Sequence, residues 1–291
     1  MTEQVYLNGK FVPYEQALIP IEDRGNLFAD GVYEVVRIYG GRPLAMQAHI
    51  DRLVRSAAEI RLPEVDFDAL KAAALELVDR NKVKDGTVYI HISRGAAPRN
   101  HLFPQGVRPT VFATARGLER PHASLRDEGV ACVTTPDIRW LRCDIKSIAL
   151  LPNVLAKQAA KDAGVFDAIF VRDDDVVTEA TSANVFAVVG GEIVTHPENQ
   201  RILPGITRRL VVALAAEAGI PVTCREILKD ELVSVVELFL SGTTTEVMPV
   251  VKVDGQTVGE GKPGPITRRI IEKYDEMVEK IRQGSSDVPL D

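Results

Sequence analysis

Apolar residues recur at helical spacing twice in the first third of the chain: Ile50, Leu53, Val54, Ala57 and Ile60 between His49 and Leu62, then Phe67, Leu70, Ala74, Leu77 and Val78. That spacing predicts two amphipathic helices, each turning an apolar face to a core. Around them, short runs rich in Val, Ile, Tyr and Thr and bounded by Gly or Pro predict strands at Val5–Val12, Val32–Tyr39, Thr87–Arg94 and Thr110–Thr114. No fixed-period repeat appears, and strands interleaved with two helices give an α+β first half.

Between Arg116 and Ser124 the pattern turns polar and breaks at Pro121, which predicts a linker. The expected division is an N-terminal domain at 1–118, a C-terminal domain at 122–283 and a frayed tail at 284–291. Beyond the linker, strands are expected at Val130–Thr134, Ala168–Val171, Val185–Val189, Ile193–Thr195, Val222–Arg225 and Glu237–Leu240. Helices are expected at Asn153–Ala163, Thr207–Ala218 and Pro265–Arg282.

With 45% hydrophobic and 26% charged residues in 291, the chain can bury a core. Its net charge of −6 opposes binding to nucleic acid or an anionic bilayer, so neither partner is expected. No apolar run approaches a membrane span, the opening residues carry no secretory pattern, and a cytoplasmic enzyme is expected. Cys132, Cys143 and Cys224 are odd in number and form no CxxC pair, which argues for reduced thiols and against a zinc site; no metal is expected. Gly259, Gly261 and Gly264 spell GxGxxG, but no βαβ unit surrounds them, and Lys262 is followed by Pro263 instead of Ser or Thr; neither a dinucleotide fold nor a P-loop follows.

Two turns carry a first chemical hint. Pro204 and Gly205 break the chain before a helix, leaving the amides of Ile206 and Thr207 free to meet an anion. A buried strand likewise runs into Gly242, Thr243 and Thr244, small residues that offer amides and hydroxyls. Each alone is most often an ordinary cap; the two together suggest a phosphate cup.

Lys146 stands between Ile145 and Ile148, with Leu150 and Leu151 following. Apolar surroundings destabilise an ammonium and free its lone pair for Schiff-base chemistry, although a lysine taken alone is more often a solvated one. Strand alternation puts Tyr33, Val35 and Arg37 on one face and Val32, Glu34, Val36 and Ile38 on the other, so a phenol can line a pocket. Arg99 and His101 lie two residues apart on a Pro-flanked loop, a pairing suited to clamping a carboxylate.

These segments resemble the class IV aminotransferases, and among them the enzymes of D-amino acids. The likeness runs through EDRGNLFADGVYEVVRIY, HIDRL, SRGAAPRNHLFP, DIRWLRCDIKSIALLPNVLAKQ, VTEATSANVF, ILPGITR and LSGTTTE. It implies the two-domain fold type IV: a small N-terminal α/β domain and a larger, β-barrel-like C-terminal domain with helices. It also implies pyridoxal 5′-phosphate bound between the domains and a homodimer. Lys146 matches the Schiff-base lysine, Glu179 the carboxylate facing the pyridine nitrogen, and Arg52 the arginine on the cofactor phosphate. Ile206, Thr207 and Thr243 match the phosphate cup, and Leu203 the residue packed on the ring. Tyr33, Arg99 and His101 match the trap for the substrate α-carboxylate.

The activity so implied is ping-pong transfer of nitrogen from D-alanine to 2-oxoglutarate, giving pyruvate and D-glutamate. Branched-chain L-amino-acid transamination is the rival on the same scaffold, opposed by the Arg99–His101 pair, and aminodeoxychorismate lyase is a rival of another class. Two departures stand out: Ala183 where a third hydroxyl is common, and Ala29 where Gly is common. Trp140, Arg142 and Asp144 share parity with Lys146 and are given packing or supporting roles, and His49 is placed near the substrate mouth.

Overall fold

The chain is described here by a computed structural model covering residues 3–285 and Leu290. Its first sheet comprises β1 (Gln4–Leu7), β2 (Lys10–Pro13), β3 (Gly31–Tyr39), β4 (Arg42–Pro43), β5 (Gly86–Ser93) and β6 (Thr110–Gly117), in the spatial order β2-β1-β6-β5-β3-β4. All neighbours run antiparallel. A short helix, α1 (Arg24–Phe28), precedes β3, while α2 (Met46–Glu59) and α3 (Phe67–Arg80) cover one sheet face. There Val32, Val36 and Ile38 pack on Leu53, Leu70 and Leu77. The opposite face is half-buried and aromatic, with Tyr33 and Tyr89 5.7 Å apart between ring centroids and His91 stacked on Phe112 at 4.5 Å.

The strand expected at Val5–Val12 is a hairpin instead. Asn8 and Gly9, at φ +47° and +88°, supply the two left-handed positions of a tight turn whose twist matches that of the strands it joins. Val54, expected in the core, is 40% exposed, because the buried stripe of α2 runs through His49, Ile50, Arg52, Leu53 and Ser56.

The second sheet comprises β7 (Val130–Pro136), β8 (Asp167–Val171), β9 (Val176–Ala180), β10 (Asn184–Val189), β11 (Glu192–Thr195), β12 (Val222–Cys224), β13 (Ile227–Leu228), β14 (Glu237–Gly242), β15 (Glu246–Val253) and β16 (Gln256–Thr257). Strands β10-β14-β15-β7-β8-β9 form a ring, because β9 pairs back onto β10 at Glu179 and Asn184. The result is the barrel-like second half that the resemblance implied. Val177, Val185, Leu240 and Met248 belong to one of its cores. On the other side of β10, Phe186 stacks on Phe239 at 4.9 Å, and α6 (Ile206–Glu217) and α7 (Pro265–Arg282) pack there together with Tyr39 of the first sheet. The remaining helices are α4 (Ala123–Glu128) and α5 (Leu151–Asp162), the latter seated on β8 through Ala156 and Ala160.

Strands β9 and β15 escape the alternation rule. All five residues of β9 are buried, so it has no polar face, and β15 contains Pro249, which demotes a run as a strand. The segment between β6 and β7 is not a free linker: the Arg120 guanidinium donates to Glu246 at 2.6 and 2.9 Å and also to Asp275. The GEGKPG stretch is a turn, and the Glu237 carboxylate takes the amides of Ile266 (3.0 Å) and Thr267 (2.7 Å) at the start of α7. The amides a phosphate would need are therefore occupied.

All three cysteines are free. Among the described residues no helix is long and apolar enough to cross a membrane, and no cluster of side chains is arranged to hold a metal. Of the expected tail, Gly284, Ser285 and Leu290 are described, and the other positions lie outside the described residues.

Candidate active site

A cleft where the two halves meet is lined by Tyr33, Arg52, Lys146, Glu179, Leu203, Ile206, Thr207 and Thr243, eight of the ten residues singled out from the sequence. Lys146 enters on an irregular segment between β7 and α5, tied down at its backbone: its carbonyl accepts from the Tyr33 amide at 3.0 Å, and its own amide donates to Ser56 Oγ at 3.2 Å. Its Nζ lies 4.2 Å from the centroid of the Tyr33 ring, and among the described residues no carboxylate pairs with it. Because the segment is not a strand, the parity argument for its neighbours fails. Arg142 and Asp144 pair with each other and with Glu59 and Arg55 near the surface, while Trp140 forms part of the cleft rim.

Glu179 is the fourth of the five residues of β9 and is 6% exposed. Its Oε1 accepts from Arg139 Nη1, and its Oε2 from Asn184 Nδ2 at 3.0 Å and from the Leu203 amide at 3.1 Å. Burial pushes its pKa up, while Arg139 and the Leu203 amide pull it back. With three donors on it, the ionised carboxylate retains room for about one more. Arg139 is held in turn by Asp137 and Thr178. Asn184 also donates to the Leu203 carbonyl at 2.9 Å, so Leu203 is held at both its amide and its carbonyl.

At the other end of the cleft, Arg52 projects from α2. Its Nε and Nη2 donate to Glu34 at 2.7 and 2.9 Å, and Nη1 to the Pro204 carbonyl at 2.9 Å. Burial alone would raise the Glu34 pKa, but Arg52 and His49 beside it hold the carboxyl well below its ordinary range. His49 is 2% exposed, with Nδ1 2.7 Å from Glu34, and so it supports Arg52 from within; it is not at the substrate mouth. Gly205 caps α6 without a side-chain bond, so the first-turn amides of Ile206 and Thr207 face the cleft unclaimed by a cap. A Cβ at Gly205 would stand 2.1 Å from Asn184 Oδ1, which excludes it while Asn184 keeps its place, and one at Gly242 would crowd the Ser182 carbonyl at 3.0 Å.

Arg99 and His101 are not in this cleft. Both are exposed on the loop after β5 and flank Phe28, with the Arg99 guanidinium and the His101 ring each 5.3 Å from its centroid. Sequence reasoning missed Arg139, Asn184 and the role of Glu34. A signal existed for Glu34, a charge on an otherwise apolar strand face, whereas Arg139 finds Glu179 only through tertiary structure.

A family model described as amino-transferase class IV matches residues 31–253. D-alanine aminotransferase of Bacillus licheniformis is 44% identical over 268 residues, 92% of this chain and 94% of that one. The enzyme of the same name from Staphylococcus epidermidis RP62A is 43% identical, covering 95% and 98%. Among solved structures, Escherichia coli branched-chain amino acid aminotransferase superposes with a TM-score of 0.89 at 26% identity, covering 96% of this chain and 95% of that one. A T.th. branched-chain aminotransferase solved with pyridoxamine 5′-phosphate gives the same TM-score and identity, covering 96% and 94%. The family match spans most of the chain, the relatives nearly all of it, and the fold agrees: the chain belongs to the class IV aminotransferases.

Proposed function

We propose that this enzyme moves the amino group of D-alanine to 2-oxoglutarate, yielding pyruvate and D-glutamate in two successive half-reactions, with pyridoxal 5′-phosphate in the Lys146 cleft. The observation that carries the reading is the make-up of the cleft. It offers one lysine amine, a buried carboxylate with about one acceptor position left, and an arginine beside an uncapped helix start. An aldehyde, a ring N–H and a phosphate fit those three features. The relatives that share more than 40% identity and carry the name D-alanine aminotransferase support the choice of substrate.

When bound, pyridoxal phosphate supplies an aldehyde that condenses with amines and a ring that withdraws electrons from the adjoining carbon. Arg52, Ile206, Thr207 and Thr243 would hold its phosphate, Leu203 would pack on its ring, and Glu179 would favour the protonated form of its pyridine nitrogen. Lys146 Nζ, the only lysine amine among the described residues that line the cleft, would anchor the aldehyde and, once freed by the substrate amine, would carry a proton from the substrate Cα to the cofactor's aldehyde carbon in one half-reaction and from that carbon to the Cα of the incoming keto acid in the other.

Tyr33 receives the substrate α-carboxylate from this chain, and Arg99 with His101 from a second copy in a homodimer. The exposure of that loop supports this arrangement, as does that of its neighbours Leu102 (76%) and Phe103 (43%). The domains run over 1–118 and 122–283, and the enzyme works in the cytoplasm, where the exposed Cys224 stays reduced.

The branched-chain neighbours keep L-leucine as a second substrate reading. The deciding experiment incubates purified enzyme with 2-oxoglutarate and D-alanine, L-alanine or L-leucine, and resolves the products on a chiral column. D-glutamate formed from D-alanine alone, and lost with Lys146→Ala, is the expected result. Turnover of L-leucine with D-alanine ignored overturns the proposal, as does release of pyruvate from added aminodeoxychorismate while no amino acid is turned over, which would mark a lyase.

A further inference from the structure

The loop that carries Arg99 and His101 is fastened from beneath by a buried guanidinium. Arg24, at the start of α1, is 3% exposed. Its Nη1 donates to the carbonyl of Asn100, the residue between the two, and reaches the Leu102 carbonyl at 3.4 Å. Its Nε donates to Asp30 at 2.8 Å. Asp30 in turn accepts from Arg94 at 2.7 and 2.9 Å, and Arg94 donates to the carbonyls of Ile60 and Arg61, both at 2.7 Å. The side chains above share one more post: the Arg24 guanidinium lies 4.7 Å from the Phe28 centroid, against which Arg99 and His101 also rest.

We propose that Arg24 is a positioning residue for substrate binding, one that sets the Arg99–His101 pair through the carbonyls of the loop between them. The inference rests on the assignment of Arg99 and His101 to the substrate carboxylate. An exposed loop free to rearrange would lose conformational entropy each time it closed on substrate. Here the ordering is done once, during folding, by hydrogen bonds from a buried cation to carbonyl oxygens that have no part in the sheet. Two arginines around one aspartate also leave a positive charge in excess under the loop, which favours an arriving anion.

The test is steady-state kinetics with D-alanine, together with the inhibition constant for acetate, a carboxylate that lacks the amine. Arg24→Gln is expected to raise both KM and the acetate constant about tenfold or more, with kcat and the absorbance of the bound cofactor little changed. Arg24→Lys should recover part of the loss. Because Arg24 acts through Arg99, the double variant Arg24→Gln/Arg99→Ala should bind no more weakly than Arg99→Ala alone. An unchanged KM in Arg24→Gln, or additive losses in the double variant, overturns the proposal. If Arg24→Gln yields no folded protein, Arg24→Lys decides, because it keeps the buried charge but cannot reproduce the fork of hydrogen bonds to Asp30 and the Asn100 carbonyl; a raised KM and acetate constant with unchanged cofactor absorbance supports the proposal, and wild-type values overturn it. Should Arg99→Ala itself leave KM unchanged, it is the carboxylate assignment that has failed, a distinct result.

Discussion

Asn184 donates its side-chain amide to Glu179 at 3.0 Å, and the same two residues form the pair through which β9 closes the barrel onto β10. The carboxylate assigned to the cofactor ring is thus held where the ring of strands shuts, and its orientation follows from the closure of the fold. Arg139, held by Asp137 just past the end of β7, reaches it, as does Leu203 from the turn before α6. No element that holds Glu179 is a free loop end, which suits the role proposed for its charge.

Asn184→Asp is the sharpest test of that charge. It replaces a donor at 3.0 Å by a second carboxylate, and two acids at such a distance cannot both ionise readily, so the pair keeps a proton to higher pH. The expected outcome is a kcat lower by about tenfold or more, with its acidic limb moved up by about one pH unit or more, whereas Asn184→Ala, which only removes the donor, shifts the limb less. A wild-type pH profile in Asn184→Asp would show that Glu179 does not act as an anion.

The parts of this site that were legible in the sequence are those whose chemistry sits in one short segment. Lys146 between isoleucines, the glycine breaks at Gly205 and Gly242, and Tyr33 on an alternating strand all proved to line one cleft. Helix α7 occupies the expected residues because Pro265 starts it and its apolar period is unbroken. What stayed hidden depends on distant pairing. Arg139 reaches Glu179 across 40 positions, and Arg52 reaches Pro204 across 152. Arg99 and His101 share the loop after β5, yet their spacing alone says nothing of where that loop lies relative to the cleft. Strand β9 was missed for a different reason: wholly buried inside a closed barrel, it has no polar face to alternate with.

Acid sensitivity is expected from the aromatic face of the first sheet. His91 stacks on Phe112, and its Nδ1 lies 3.0 Å from the Tyr89 hydroxyl, within hydrogen-bond distance. Burial pushes its pKa down to about 4, with Asp23 opposing. An unfolded histidine titrates near about 6.5, so the unfolded state binds the proton first as pH falls, and stability is lost from there down to the folded value. The slope is about 1.4 kcal/mol per pH unit wherever one proton separates the two states. Denaturant midpoints measured from pH 7 to 5 should therefore fall in the wild type and fall less in His91→Phe. Some slope will remain, because burial lowers the pKa of His49 as well. Identical slopes in the two proteins would remove His91 as a cause.

The departure at Ala29 leads to an expectation of the opposite sign. Ala29 ends α1 at φ +53° and ψ +33°, a left-handed conformation, and its amide donates back to Gly25 at 3.1 Å. For a residue with a Cβ that conformation costs about 1–2 kcal/mol, while glycine's greater freedom in the unfolded chain takes back about 0.4–1 kcal/mol. Ala29→Gly should therefore stabilise the enzyme by about 0.5–1 kcal/mol, read as a higher denaturant midpoint at unchanged slope. Ala29→Val, β-branched in the same conformation, should destabilise it. Because Asp30 follows directly and carries both Arg24 and Arg94, the valine variant should also bind D-alanine more weakly, while the glycine variant keeps the wild-type KM. A glycine variant less stable than the wild type would mean that the Ala29 methyl makes contacts worth more than the strain of its backbone.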